Sequence, residues 1–86
     1  MASVAELKSA INAALQQISE GQTAVRAAGE KLGEAQQTLT GALAGSGHDA
    51  VIAAQAALAQ AAQELADCLA ATLAAVEQAE QYLSTL

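Results

Sequence analysis

No proline interrupts this chain, and it has no tryptophan, no phenylalanine and a single tyrosine, Tyr82. Without proline, nothing forbids a helix from running to great length. Without large aromatics, a globular core has little to bury against the entropy of ordering the chain. The one cysteine, Cys68, cannot form an internal disulfide. Only Lys8, Arg26 and Lys31 are basic, against nine acidic residues and a net charge of −6. A nucleic-acid surface needs clustered cations to displace counterions, and an anionic membrane surface makes a similar demand. Neither partner is expected. Long hydrophobic runs are missing too. The longest uncharged stretch, 50–63, carries Gln55 and Gln60 and falls short of the roughly 20 apolar residues of a membrane span, so no membrane insertion is expected. The opening residues have neither the basic segment nor the apolar run of a signal peptide. That predicts a cytoplasmic address, or export by a route independent of a signal peptide.

What the chain does have is periodicity. Val4, Ile11, Ile18, Val25, Leu32 and Leu39 fall at every seventh position of the first half, the mark of one long amphipathic helix. Three places later run Leu7, Ala14, Gly21, Ala28, Ala35 and Ala42, which predicts a seam with one large and one small row. The second half has its own stripe, Val51, Ala54, Leu58, Ala61, Leu65, Cys68 and Leu69, Thr72, Val76, Ala79, Leu83 and Leu86. Its shift from one row to the next predicts an ordinary helix of 3.6 residues per turn rather than a strict supercoil. The punctuation between the halves is Gly45-Ser46-Gly47. Both glycines are free to take positive φ, and Ser46 or Asp49 can cap the following helix. Ser3 and Glu6 form a capping box at the first helix start.

The reading is one domain over residues 1–86: a helix over about 3–44, a turn over about 45–48 and a helix over about 49–85. So short a turn forces an antiparallel hairpin. The expected core and interface are Val4, Leu7, Ile11, Leu15, Ile18, Val25, Leu32, Leu39 and Leu43 on the first helix. On the second they are Val51, Leu58, Leu65, Leu69, Leu73, Val76 and Leu83. Leu15, Leu43, Ile52 and Leu73 flank the seams, and 50–62 is apolar nearly all round. A helix apolar on more than one face requires a second neighbour. The expected fold class is therefore all-α: an antiparallel hairpin of two long helices, associating into a four-helix bundle with itself or with a homologous hairpin. Four glycines, Gly21, Gly29, Gly33 and Gly41, lie within the first helix. Gly29 and Gly33, four apart, either make a notch for a docking helix or are simply tolerated.

Chemistry-bearing residues do not converge. His48 stands alone beside Asp49, as a solvated loop or capping residue. Cys68 reads as a small buried hydrophobe on the seam. Glu64 with Asp67, and Glu77 with Glu80, are spaced like paired carboxylates. A di-metal bundle site also needs an inward Glu-x-x-His, and no histidine follows them, so they read as a solvated acidic face. Folding the hairpin brings Arg26 and Lys31 level with Glu64 and Asp67, pairs able to fix register at about 0–1 kcal/mol each. No catalytic residue, cofactor or metal is expected, and the chain reads as a non-enzyme.

A short, acidic, alanine-rich hairpin with a glycine turn near its midpoint resembles the WXG family of type VII secretion proteins. The family's Trp-X-Gly turn reads here as Ala44-Gly45-Ser46-Gly47. Its C-terminal Tyr-x-x-x-Asp/Glu export signal is half kept, Tyr82 being followed four residues later by Leu86. The chain also resembles small actinobacterial helical hairpins that occur alone or at the N-terminus of polymorphic toxins. Met1-Ala2-Ser3-Val4, Gly33-Glu34-Ala35-Gln36-Gln37 and Ala79-Glu80-Gln81-Tyr82-Leu83 carry that likeness. The resemblance implies a partner or trafficking role in secretion, with a secretion ATPase or a toxin among the partners and Tyr82 as an export or partner contact. The alternative is a structural coiled-coil scaffold or adaptor unrelated to secretion.

Overall fold

The computed structural model describes residues 2–42 and 47–86. They form two helices, α1 (Val4–Ala42) and α2 (Asp49–Ser84), within a rod of 63 × 19 × 15 Å. Leu43 of the expected core, with Gly45 and Ser46 of the expected turn, lies outside the described residues. The start of α1 is set by Ser3, whose Oγ accepts the amide of Glu6 at 3.1 Å while its carbonyl accepts the amide of Leu7. At the start of α2 the cap is His48, read above as a loop or capping residue, rather than Asp49. His48 is extended, with φ −67° and ψ 132°, and its Nδ1 accepts the Ala50 amide at 3.1 Å. An imidazole nitrogen supplies here the lone pair usually offered by a Ser or Asp oxygen. Asp49 becomes the first helical residue, an acid favoured there by the helix dipole. Gly47 precedes the cap with its φ outside the left-handed range, so its freedom to take positive φ is not used.

Two hydrogen bonds across the helices fix direction and register. Gln22 Nε2 donates to Thr72 Oγ1 at 3.1 Å, and Gln55 Nε2 donates to Thr40 Oγ1 at 3.0 Å. Advancing along α1 from Gln22 to Thr40 retreats along α2 from Thr72 to Gln55, so the helices are antiparallel. The seam they share is not quite the expected one. The row Ile11, Ile18, Val25, Leu32 and Leu39 is half-buried, but its companion lies four residues on: Leu15, Gln22, Gly29 and Gln36. Ala14, Gly21, Ala28, Ala35 and Ala42, three residues on, are exposed. A seven-residue period alone does not say which neighbour completes the seam. Leu15 buries far more area than Ala14, and Gln22, which comes with that phase, finds Thr72.

The drift expected of α2 is also absent. Its protected residues are Val51, Gln55, Leu58, Ala62, Leu65, Leu69, Thr72, Val76, Ala79, Leu83 and Leu86, alternating steps of four and three, with Ala61 alongside. That is an unbroken heptad pattern. Cys68 is consequently exposed rather than on the seam. Val4 and Leu73 of the expected core are 55% and 53% exposed. In the register set by Gln22 and Thr72, Val4 lies past the end of α2 and has no residue of that helix opposite it, and Leu73 sits one step outside the seam. The remaining expected core residues among those described are half-buried.

None of the helical glycines is demanded by the hairpin. A Cβ added at Gly21, Gly29, Gly33 or Gly41 meets nothing within 4 Å. Gly21 and Gly41 are exposed, so replacing either with alanine removes backbone entropy from the unfolded chain without a clash. Each of Gly21→Ala and Gly41→Ala is expected to stabilise the protein by about 1 kcal/mol. Thermal unfolding checks this, and a lower midpoint for either variant would show that a partner occupies that space.

Candidate functional site

Among the described residues no apolar side chain is buried; the one buried residue is Gln22, at 9% exposure. The hairpin therefore has a seam but no core. The site it offers is surface. Ile52 and Leu73 are 60% and 53% exposed on α2, and Tyr82 is 50% exposed near its end.

Beside the seam runs an open groove of about 380 Å³, lined by Val25, Arg26, Gly29, Glu30, Ala62, Leu65, Ala66 and Leu69. Its cause is Gly29, a seam position without a side chain, level with Leu65. The volume matches small-molecule sites of about 300–1,000 Å³, but those enclose most of their ligand behind convergent polar groups. Here Arg26 and Glu30 sit on the rim and the floor is aliphatic. An apolar side chain entering from above is the chemistry it suits.

The polar groups of the seam are spent on register. Thr72 Oγ1 accepts from Gln22 and donates to the Leu69 carbonyl at 2.8 Å. Such a bond contributes about 0.5–1.5 kcal/mol net, but its loss in a slipped pairing would strand both groups, which is how one polar seam position selects an alignment. The expected cross-helix ion pairs do not form. Asp67 accepts from Gln63 and Glu64 from Gln60, each four residues away on α2. The ion pair among the described residues is Lys31–Glu34, 3.2 Å within α1 and largely exposed, so it contributes little. Sequence reasoning missed the glutamines and threonines as register-setters. The missing signal was the companion row, which places Gln22 and Thr72 face to face only in the four-step phase.

Among the described residues, no three of His, Cys, Asp and Glu gather closely enough to hold a metal, and no helix is long and apolar enough to cross a membrane. No protein-family model, curated protein or solved structure matches the chain.

Proposed function

We propose that this chain is a non-enzymatic protein–protein interaction module that pairs with a second long helical hairpin to complete a four-helix bundle. The observation carrying this reading is the unspent surface. The chain exposes 5993 Å² and has a radius of gyration of 19.4 Å. A compact chain of its mass exposes about 4,700 Å² with a radius near 12 Å. The excess of about 1,300 Å² per chain is what one partner of an obligate dimer buries, total interfaces of that kind starting at roughly 2,000 Å². The shape narrows the partner. A globule of similar mass covers about half of a face 63 Å long, whereas another rod covers it end to end.

The cellular role we propose is a partner, chaperone or trafficking hairpin of a type VII-like secretion system, meeting a secretion ATPase or a toxin. It rests on the resemblance in architecture and on the half-kept Tyr82 signal. A structural coiled-coil scaffold or adaptor is the second reading, favoured by the strict heptads of α2. The pairing itself is tested by light scattering of the purified chain, alone and co-expressed with its genomic neighbours. Mass at twice the 8.5 kDa chain, or a stoichiometric complex with a neighbouring hairpin, is expected. A stable, folded monomer under both conditions overturns the reading.

A further inference from the structure

The row of α2 that flanks the seam on the groove side runs Ile52, Ala59, Ala66, Leu73 and Glu80, all exposed. Ala66 fixes the side, since it lines the groove with Arg26 and Glu30. Just outside the row lie Asp49, three residues before Ile52, and Glu77, four after Leu73, so each is a helical neighbour of an exposed aliphatic. The face thus carries Ile52, the groove and Leu73 in a line, and carboxylates close that line at both ends. Ile52 and Leu73 stand about 31 Å apart at 1.5 Å per residue, with the groove residues Ala62 and Leu65 midway between them.

Nothing on α2 balances those acids. The helix holds Asp49, Glu64, Asp67, Glu77 and Glu80 and no Lys or Arg. The matching rows of α1 carry Arg26 and Glu30, one of each sign, both on the groove rim. Lys8 stands level with Leu86, beyond Glu80. The ion pair among the described residues, Lys31–Glu34, involves none of the acids of this face. A second α2 laid here would set carboxylates against carboxylates with no cation between them, which works against association.

We infer that this face receives a basic amphipathic helix of a different chain, apolar along its middle and bearing Lys or Arg at both ends. The inference rests on the hairpin-pairing reading above and adds the face and the chemistry of the partner. A large apolar side chain at the middle of that helix enters the groove that Gly29 leaves open. Its flanking apolar residues cover Ile52 and Leu73, the large aliphatics that the hairpin leaves exposed on this face. Its terminal cations meet Asp49 at one end and Glu77 and Glu80 at the other. From Asp49 to Glu77 is about 42 Å, so the partner helix runs to about 30 residues, one arm of a long hairpin. The apolar contacts supply the affinity, as in other helix-in-groove complexes. The end charges supply the choice of partner and a fast approach.

Two synthetic helices of about 30 residues test the partner's chemistry. They share one leucine face and differ only at their ends, which carry Lys in one and Glu in the other. Fluorescence anisotropy with the full chain is expected to show the Lys peptide binding at least about tenfold more tightly, by a margin that shrinks as salt rises. Leu73→Ser is expected to weaken that binding by about tenfold or more, the loss of one covered leucine. Gly29→Leu fills the groove from its own floor, where an added Cβ meets nothing within 4 Å. It is expected to raise the unfolding midpoint and yet weaken binding by about tenfold, a loss that misfolding cannot explain. Glu80→Lys is expected to weaken binding several-fold. Glu64→Lys, the same change of charge on the far side of α2, is expected to leave it unaltered. Equal binding of the two peptides, or equal effects of Glu80→Lys and Glu64→Lys, overturns the basic partner while the hairpin pairing stands. Unweakened binding by both Leu73→Ser and Gly29→Leu overturns the face. A chain that sediments at twice 8.5 kDa and binds neither peptide overturns the different chain in favour of a second copy. A monomer under all conditions that binds neither removes the pairing itself.

Discussion

Ile18→Asp is expected to abolish the folded hairpin, while Ala14→Asp, one turn away on the same helix, leaves its helix content intact. Ile18 is half-buried mid-way along α1, and the register places it opposite Val76. Truncating an aliphatic side chain at such a site costs about 2–5 kcal/mol when it is fully buried, and a carboxylate adds the cost of desolvating a charge that nothing at that level pairs. A chain with no buried apolar side chain among its described residues has little reserve against either. Ala14 is exposed, in the row that sequence spacing alone assigns to the seam. Far-ultraviolet circular dichroism across a urea series separates the two variants. If Ala14→Asp proves as damaging as Ile18→Asp, the companion row lies three residues on and the four-step seam is wrong.

That pair of variants also marks where the sequence stops being legible. Two long helices, their antiparallel order and the row from Ile11 to Leu39 follow from the missing proline, the glycine-rich break and a seven-residue period. The phase of the second row does not. Alanine looks the better seam residue when hydrophobicity is read position by position, and Gln22 and Gln36 look like surface. The choice is made by cross-helix neighbours: Leu15 gains burial, and Gln22 gains Thr72. The same coupling misplaced Cys68, which belongs to the seam only if α2 drifts. The cap of α2 was legible only as one candidate among several, His48 being read as a loop or capping residue. Asp at position 49 has the better intrinsic preference, but His48 reaches the Ala50 amide because the chain enters extended at that residue. The unpartnered surface was legible in outline, from apolar residues on more than one face. Which of those residues remain outside the seam required the register.

Tyr82→Ala is expected to leave the stability of the hairpin nearly unchanged and to remove the protein from the culture medium. The residue separates the two proposed roles because each puts its ring in a different place. In a scaffold that merely closes its own end, the ring packs on the first turns of α1 near Val4 and Leu7, and deleting it costs several kcal/mol, as aromatic truncations in cores do. As a contact for a second protein, it stands in solvent until that protein arrives. Tyr82 is 50% exposed, and the register set by Gln22 and Thr72 places it level with Asn12, more than a turn from Val4 and Leu7. Its row, with Ala75 and Cys68 one and two heptads back, lies on the opposite side of α2 from Ile52 and Leu73. An exposed substitution of this kind costs within about 0.5 kcal/mol, and an amphipathic ring held at one face of a helix is the type of anchor that dominates recognition. The test is thermal unfolding and a secretion assay on the same variant, in a host that carries the secretion system. Unchanged unfolding with lost export supports the trafficking role. A large drop in the unfolding midpoint with export unaffected would mean that the ring serves the fold, and the secretion reading would fall with it.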